Sequence, residues 1–362
     1  MEVMEMINQS FWHGKRILVT GCTGFKGSWL TVWLHALGAQ VYGYALTPPT
    51  DPSMWEDMQL EKLCINVCYA DIRDYATLKQ FIIDSNAEIV IHMAAQPLVR
   101  YSYSYPRETY EVNVMGTVNL LDAVRETGIA KVVVNVTTDK CYENKEWLWA
   151  YRENEPMGGH DPYSNSKGCS ELVTSAFINS YFADPQSKAV IASARAGNVI
   201  GGGDWANDRL IPDIIRSFSN NQEVFIRYPS AVRPWQHVLE PLSGYLALAE
   251  KLYSEGQKYS GGWNFGPLDS DTKTVEQIVT QMCNIWGNGG NWTKDNSEHP
   301  HEANLLRLDC SKARMILGWH PVWNSETTLN KLTLWYKAYF SQNNMLELTR
   351  QQIDEYMKEL VC

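Results

Sequence analysis

The feature that most restricts how this chain can fold is a spacing of three glycines, Gly21, Gly24 and Gly27. They directly follow a short apolar run at residues 15–20, and a helical pattern covers residues 25–37. Glycines at this spacing let the backbone turn sharply and approach a diphosphate, whose charge is stabilised by the N-terminus of the next helix. The segment therefore predicts the first strand, turn and helix of a dinucleotide-binding unit. A tight turn without a ligand is the simpler alternative.

Strand-like runs and helical patterns alternate along the first half of the chain. Helical patterns cover residues 109–125 and 163–182, and strand-like runs lie at 40–45, 66–70, 87–95, 131–138 and 188–196. The run at 131–138 is strongly β-branched, as in a strand that is buried on both faces. This alternation predicts an α/β fold of the Rossmann type, with a doubly wound parallel sheet and helices on both faces.

The sequence changes character after residue 196. Residues 197–209 and 287–304 are rich in glycine, asparagine and aspartate, which is typical of loops. We expect a smaller mixed α/β substrate domain there. The predicted boundaries are a dinucleotide-binding domain over 1–196 with return segments at about 231–266, and a substrate-binding domain over 197–230 and 267–362.

Composition and charge argue against several classes of protein. The 362 residues include 31 Lys and Arg against 41 Asp and Glu, a formal charge of −10, whereas nucleic-acid binders usually show a basic excess. No run of about 18 apolar residues predicts a membrane span. The acidic first residues do not look like a signal peptide. The eight cysteines are scattered without a C-x-x-C pair, which indicates reduced thiols and no metal site. We expect a cytoplasmic protein.

The residues that distinguish NAD from NADP are missing from their usual place. The second strand ends in Gly43–Leu46, with neither a carboxylate to bind the ribose hydroxyl of NAD nor an arginine to bind the 2′-phosphate of NADP. The end of this strand therefore does not distinguish the two cofactors. Asp71, after the third strand, is placed to accept a hydrogen bond from an adenine amino group. Capping of the next helix is an equally good interpretation of Asp71.

Two polar groups predict acid–base chemistry. Tyr163 and Lys167 lie four positions apart on a predicted helix and therefore share a face. A lysine ammonium near a phenol lowers the pKa of the tyrosine, which would then act as a base. Residues 137–140, Thr-Thr-Asp-Lys, end a predicted strand, where ligands of parallel sheets bind. A solvated surface pair and a capped turn are the alternatives for these two groups.

Taken together, these segments resemble the extended short-chain dehydrogenases/reductases and, among them, the nucleotide-sugar 4,6-dehydratases. The glycine triplet and Tyr-x-x-x-Lys are shared by the whole superfamily, and FKGSW, TDKCYEN, GGHDPYS and RPWQHV are specific to one branch. The matching segments span most of the chain: 20–30, 44–53, 94–100, 137–147, 151–173, 195–213, 233–246 and 263–267.

The resemblance implies an NAD-dependent lyase that oxidises the sugar at C4, eliminates water across C5 and C6, and returns the hydride to C6. Tyr163 would be the base on the 4-hydroxyl, Lys167 would bind the nicotinamide ribose, and Thr138 would hydrogen-bond the same hydroxyl. Asp139 would be the general acid, its pKa raised by burial or neighbours. Lys140 stands where related enzymes carry glutamate. It would act either as the C5 base or as a cation that stabilises an enolate.

The resemblance also implies the residues that contact cofactor and substrate. A diphosphate needs fork-like donors, which arginine supplies. A surface position or an ion pair is the alternative for each of these arginines. The cofactor set is Gly21, Gly24, Phe25, Gly27, Asp71, Ile72, Ala94 and Ala95, together with Tyr163 and Lys167. The substrate set is Gln96, Asn198, Arg209, Arg233 and His301.

The branch-specific segments imply CDP-glucose as the substrate, in deoxysugar and O-antigen biosynthesis. They also imply a homodimer, or a dimer of dimers, that pairs through helices at 109–126 and 162–182. Three alternatives stay open at this point. They are a nucleotide-sugar 4-epimerase, a 4,6-dehydratase acting on a dTDP, GDP or UDP sugar, and a catalytically inactive protein that senses NAD.

Overall fold

A computed structural model describes residues 6–184, 186–287, 290–295, 297 and 305–360. The strands are β1 (Arg16–Thr20), β2 (Gln40–Ala45), β3 (Asn66–Tyr69), β4 (Ile89–His92), β5 (Val132–Val136), β6 (Val190–Ala196), β7 (Val199–Ile200), β8 (Val224–Ile226), β9 (Val232–Arg233), β10 (Gln236–His237), β11 (Gly261–Phe265), β12 (Lys273–Thr274) and β13 (Trp292–Lys294).

The helices are α1 (Gln9–Trp12), α2 (Phe25–Ala36), α3 (Met54–Asp57), α4 (Tyr75–Ser85), α5 (Val99–Ser104), α6 (Pro106–Tyr110), α7 (Gly116–Thr127), α8 (Pro162–Phe177), α9 (Leu210–Ser219), α10 (Leu239–Glu255), α11 (Val275–Trp286), α12 (Ser325–Phe340) and α13 (Met345–Leu360). One π-helical turn, Glu111–Met115, joins α6 to α7, and another, Ile178–Phe182, extends α8. None of the described helices is both long and apolar enough to cross a membrane.

Seven strands form one parallel sheet in the order β11-β6-β5-β4-β1-β2-β3. Alternate residues of β1 belong to two different hydrophobic clusters. Ile17 and Val19 lie in one cluster, and Leu18 lies in the other. All five residues of β5 are buried, as the β-branched run predicts for a strand covered on both faces. The prediction of a Rossmann-type doubly wound sheet is confirmed.

The second half of the chain is less regular, as expected. It forms three small ladders, in which β7 pairs with β10, β9 with β12, and β8 with β13. The interpretation of residues 287–304 as loop is wrong at Trp292–Lys294, which pair in parallel with Val224–Ile226. Three residues in a polar segment carry too little periodicity to reveal a strand. The chain also returns to the edge of the main sheet through β11, while the domain boundaries stay a prediction.

The C-terminal helices pack against a glycine-rich turn after β7. A Cβ atom on Gly202 would lie 2.1 Å from the Trp335 ring, so this position admits only glycine while α12 keeps its place. The next residue of α12, Tyr336, donates a hydrogen bond of 2.6 Å to the carbonyl oxygen of Asp204. α12 therefore holds the 201–204 turn on one side.

Candidate active site

A cavity of about 1050 Å³ opens at the carboxyl ends of the sheet strands, where parallel α/β sheets bind ligands. It gathers residues that are far apart in sequence. Those predicted residues that line it are Gly21, Gly24, Phe25, Gly27, Asp71, Ile72, Ala94, Ala95, Thr138, Asp139, Lys140, Tyr163, Lys167, Asn198, Arg209 and Arg233. The structure thus brings together the glycine loop, the end of β5, the start of α8 and the arginines of the second half.

The glycine loop is packed backbone against backbone. Gly21 has φ +72°, and a Cβ atom on it would lie 2.8 Å from the Ala94 nitrogen. A Cβ atom on Gly27 would lie 2.2 Å from the Gly21 carbonyl oxygen. Gly24 is the N-cap of α2, and no side chain in the described part of the chain caps that helix. The amides at the start of α2 border the cavity without a capping side chain, which fits a bound diphosphate.

Asp71 is held by its neighbour Arg73 at the β3 side of the cavity. The guanidinium Nη2 of Arg73 lies 2.7 Å from Asp71 Oδ2, and the Arg73 amide donates to Oδ1 at 2.8 Å. Hydrogen bonds from Arg73 lower the pKa of Asp71. Asp71 is therefore ionised at neutral pH, as a hydrogen-bond acceptor for an adenine amino group must be.

Asp139 is a buried acid with one unpartnered oxygen. Its side chain is 1% exposed, and Thr138 Oγ1 donates a hydrogen bond to Oδ1 at 3.0 Å. Oδ2 has no hydrogen-bond partner among the described residues. Burial raises the pKa of Asp139, which favours the protonated form. Lys140, the next residue, lines the same cavity, so the arrangement offers a proton donor beside an amine.

Tyr163 and Lys167 are both buried on α8, which Asp161 caps through the Ser164 amide. Burial raises the pKa of Tyr163 to about 12, and the nearby Thr138 hydroxyl opposes that shift. Burial also lowers the pKa of Lys167 to about 8, and its Nζ donates to the Val136 carbonyl oxygen at 3.3 Å. The expectation that Lys167 holds the pKa of Tyr163 below its usual value is wrong here, because desolvation of the phenol outweighs the neighbouring charges.

Sequence reasoning missed a buried polar network below the end of β5. Glu171, one turn after Lys167 on α8, accepts hydrogen bonds from Thr137 Oγ1, Ser193 Oγ and Arg195 Nη2. The ion pair with Arg195 measures 2.7 Å, and both side chains are buried. It joins α8 to β6 behind the catalytic segment. No local pattern predicts this pairing, because its members come from three separate elements.

A second missed residue is Lys26, which lines the cavity beside the glycine loop. Burial, together with the positive charges of Arg209 and Lys167, lowers the pKa of Lys26 to about 7. Lys140 and Arg233 also reach this cavity. Among the described residues, eight Lys and Arg side chains and eight Asp and Glu side chains line this cavity. Basic groups are thus relatively more frequent here than in the whole chain, where 31 stand against 41 acidic residues, which favours an anionic substrate locally.

The predicted phosphate-binding arginines are held by their own partners. Arg209 Nη1 lies 2.9 Å from Oδ2 of Asp204, which is 5% exposed. Arg233 Nη1 donates to the Val232 carbonyl oxygen at 3.0 Å. Asn198 lines the cavity, and its carbonyl oxygen accepts from the Gln236 amide at 3.0 Å. Both arginines are thereby oriented before any ligand arrives.

The structure does not place Gln96 on the wall of the cavity within the described part of the chain. Its Nε2 donates to Thr109 Oγ1 at 2.9 Å, and its Oε1 accepts from the Leu98 amide at 2.5 Å. Both ends of the amide therefore stabilise the loop before α5. His301 lies outside the described residues, so its predicted role stays a prediction.

Comparison with known proteins agrees with this geometry. Residues 18–332 match the family model described as GDP-mannose 4,6 dehydratase. A CDP-glucose 4,6-dehydratase from Salmonella typhimurium is 59% identical over 97% of this chain and 99% of its own length. A dTDP-D-glucose 4,6-dehydratase from Mus musculus is 26% identical over 90% of each chain.

Among solved structures, an epimerase from Methanothermobacter thermautotrophicus superimposes with a TM-score of 0.80 at 22% identity, over 97% of this chain and 99% of that chain. A dTDP-glucose 4,6-dehydratase from Streptomyces venezuelae, with NAD bound, gives a TM-score of 0.77 at 22% identity, over 91% and 99%. These two likenesses establish the fold, and the 59% identity and the family model establish the family. The chain therefore belongs to the nucleotide-sugar 4,6-dehydratases.

Proposed function

We propose that the protein converts CDP-D-glucose into CDP-4-keto-6-deoxy-D-glucose and water, with NAD as its cofactor. The observation that carries this proposal is the buried carboxyl of Asp139, with one free oxygen, on the same cavity as Tyr163 and Lys140. A 4-epimerase needs a tyrosine and a lysine but no acid for a leaving hydroxyl. The 59% identity to a CDP-glucose 4,6-dehydratase supports cytidine as the base.

The glycine loop, Asp71 and Lys167 would hold the dinucleotide. The close contacts at Gly21 and Gly27 leave no room for side chains where a diphosphate approaches α2. NAD⁺ supplies a reversible two-electron oxidation of the sugar at C4 when it is bound. The roles of the individual residues rest on their placement around one cavity and on the family resemblance.

Tyr163 removes the proton from the 4-hydroxyl. A phenol with a pKa of about 12 becomes a base near neutral pH only when positive charge favours its ionised form. Arg209 supplies such a charge, since it lowers the pKa of Tyr163. Lys167, with a pKa of about 8, is mostly protonated at pH 7 and would bind the nicotinamide ribose. Thr138, whose hydroxyl lies near Tyr163, would orient the substrate hydroxyl.

Asp139 and Lys140 perform the elimination. The C4 ketone acidifies the C5 hydrogen, and Lys140 either takes that proton or stabilises the enolate that forms. Asp139, whose pKa is raised by burial, would be the group that gives a proton to the 6-hydroxyl as the C6–O bond breaks. One water leaves, and a C5=C6 double bond forms. Return of the hydride removed from C4 to C6, with a proton added at C5, would then give the 4-keto-6-deoxy product and restore the oxidised cofactor.

A labelled-substrate panel tests the proposal. The purified protein is incubated with NAD⁺ and with CDP-, dTDP- or UDP-glucose or GDP-mannose, each carrying deuterium at C4. We expect a 4-keto-6-deoxy product from CDP-glucose alone, with deuterium at C6. Deuterium returned to C4 would identify an epimerase, turnover of another sugar nucleotide would change the substrate, and binding of NAD without turnover would identify a sensor.

We also propose that the protein is a cytoplasmic homodimer, or a dimer of dimers, that contributes to deoxysugar biosynthesis. Leu172 of α8 and Tyr181 of the following turn are more than half exposed, and Met115 beside α7 is nearly so. Exposed apolar side chains in these two helical segments suit pairing with a second copy. Light scattering should give at least twice the monomer mass, and Leu172→Glu should lower it. A wild-type monomer at micromolar concentration contradicts the pairing.

A further inference from the structure

Gly197 lies against the free oxygen of the predicted acid. It follows β6 directly and lines the cavity. A Cβ atom on this residue would lie 3.0 Å from Asp139 Oδ2 and 2.6 Å from Pro234 Cγ. Both distances are shorter than ordinary carbon contacts, which begin near 3.5 Å. The space beside Asp139 Oδ2 therefore exists only because residue 197 has no side chain.

The two oxygens of Asp139 have different surroundings. Oδ1 accepts a hydrogen bond from Thr138 Oγ1 at 3.0 Å, whereas Oδ2 is buried and has no partner among the described residues. A buried polar atom without a partner is costly. At a functional site, a hydrogen bond with the bound ligand offsets this cost. Oδ2 is also the oxygen that Gly197 faces.

We infer that Gly197 is a positioning residue for the elimination step, because it leaves Asp139 Oδ2 free to meet the 6-hydroxyl of the substrate. This inference deepens the proposed function and rests on it. Gly197 itself contacts no reacting atom. It sets where the carboxyl of Asp139 lies, so that the acid reaches the leaving group as the C6–O bond breaks.

Few of the neighbours of residue 197 can move to make room for an alanine side chain. Pro234 is a rigid ring, and the chain around it is fixed by the Trp235 amide, which donates to the Arg233 carbonyl oxygen at 3.0 Å. The Asp139 carboxyl is the neighbour that can move by rotating about a single bond. Rotation would break its hydrogen bond with Thr138 and turn Oδ2 away. We therefore expect Gly197→Ala to damage elimination more than oxidation at C4.

The experiment uses four variants of the full chain with NAD⁺ and CDP-glucose. Gly197→Ala is the test, and Gly197→Ala/Pro234→Ala removes the Pro234 Cγ contact but keeps the one with Asp139. Pro234→Ala is the reference for the double variant. Gly266→Ala is the matched control, because a Cβ atom there makes ordinary contacts of 3.5 Å or more. Circular dichroism and the melting temperature establish that each variant is folded.

Three quantities are measured, namely the rate of 4-keto-6-deoxy product, the amount of 4-keto-glucose intermediate trapped with borodeuteride, and exchange of the C5 hydrogen with D₂O. Loss of a well-placed general acid costs about 10²–10⁴-fold. We expect the rate of product formation by Gly197→Ala to fall about 10²-fold relative to the wild type. The rate for the double variant should fall by the same factor relative to Pro234→Ala. The trapped intermediate should rise, and C5 exchange should continue. Gly266→Ala should match the wild type.

The outcomes separate the two proposals. If the wild type forms no 4-keto product from CDP-glucose, the proposed function fails. If the wild type is active and the folded double variant keeps the product rate of Pro234→Ala, Gly197 does not position the acid. A uniform loss of oxidation, exchange and product, without trapped intermediate, would likewise overturn the inference, because it would indicate general damage to the cavity.

Discussion

The two walls of the cavity are built in different ways. One wall is formed by the ends of long, registered strands of the seven-stranded sheet, and its glycine loop touches backbone with backbone. The other wall comes from ladders of two or three residues, and its arginines are held by side-chain and carbonyl partners. We call the first the rigid wall and the second the adaptable wall, and we expect the first to carry the chemistry and the second to recognise the substrate. Changes on the first should alter kcat, and changes on the second should alter KM.

The largest effect is expected on the rigid wall, from Tyr163→Phe. Removing the phenol oxygen removes the base for the 4-hydroxyl, so we expect kcat to fall about 10³-fold. Binding of NAD should change less than threefold, measured by calorimetry, since the glycine loop is untouched. Tyr181→Phe, at an exposed position on the same helix, is the control. A kcat within tenfold of the wild type would remove Tyr163 from the chemistry.

Lys140→Ala should separate two reaction steps that we assign to the rigid wall, namely oxidation and dehydration. The residue follows the acid and lines the cavity, so we expect dehydration to fall about 10²-fold or more. Oxidation at C4 should still be seen in a single turnover, followed by rapid-quench trapping of the ketone. Lys145→Ala, which removes a lysine in an exposed ion pair, serves as control. Full dehydratase activity in Lys140→Ala would exclude a catalytic role.

On the adaptable wall, Arg209→Gln should raise KM for CDP-glucose about tenfold to a hundredfold. The fall in kcat should be smaller than this, although not zero, because Arg209 also lowers the pKa of Tyr163. A charge-assisted hydrogen bond contributes about 1.5–3 kcal/mol. The substitution also leaves Asp204 without its partner, so Arg209→Gln/Asp204→Asn separates binding from stability. Arg152→Gln, in an exposed ion pair, is the control. A lower kcat at unchanged KM would contradict the division between the walls.

The smallest effect concerns neither wall. Oε1 of Glu250 accepts hydrogen bonds from the Asn8 amide at 3.0 Å and from Trp12 Nε1 at 2.6 Å, and burial raises the pKa of Glu250 to about 7. Because the pKa of this carboxyl is higher in the folded state, the folded protein loses stability as the pH rises from about 4.5 to about 7. Glu250→Gln keeps the acceptor and removes the charge.

We therefore expect Glu250→Gln to increase the free energy of unfolding by about 1–2 kcal/mol at pH 8, after allowance for the partial exposure of the side chain. At pH 4, where the wild-type carboxyl is mostly protonated in both the folded and the unfolded state, the two proteins should be almost equally stable. Urea unfolding at both pH values measures this difference. Equal stability at pH 8 would mean that burial does not raise the pKa of this group.

The sheet and the glycine loop are predictable because their signals are local. Strand runs, glycine spacing and the Tyr163–Lys167 interval each depend on neighbouring residues, and the resemblance adds Thr138, Asp139 and Lys140. The shifted pKa of Tyr163, the partners of Gln96 and the strand at Trp292–Lys294 depend on contacts between distant segments. Lys26 and Gly197 could not be predicted for the same reason, because their neighbours in the cavity come from distant segments of the chain.

The contact between Trp335 and Gly202 makes the far end of the chain part of the active site. A protein ending before α12 would retain all the described residues to which we assign chemistry. It would nevertheless lose the support beneath Asp204, the counter-ion of Arg209. Such a protein would also lose Tyr356, which packs against Trp33 of α2 with ring centroids 5.7 Å apart. The C-terminal helices therefore support both the helix that follows the glycine loop and the counter-ion of Arg209, without supplying a reacting group.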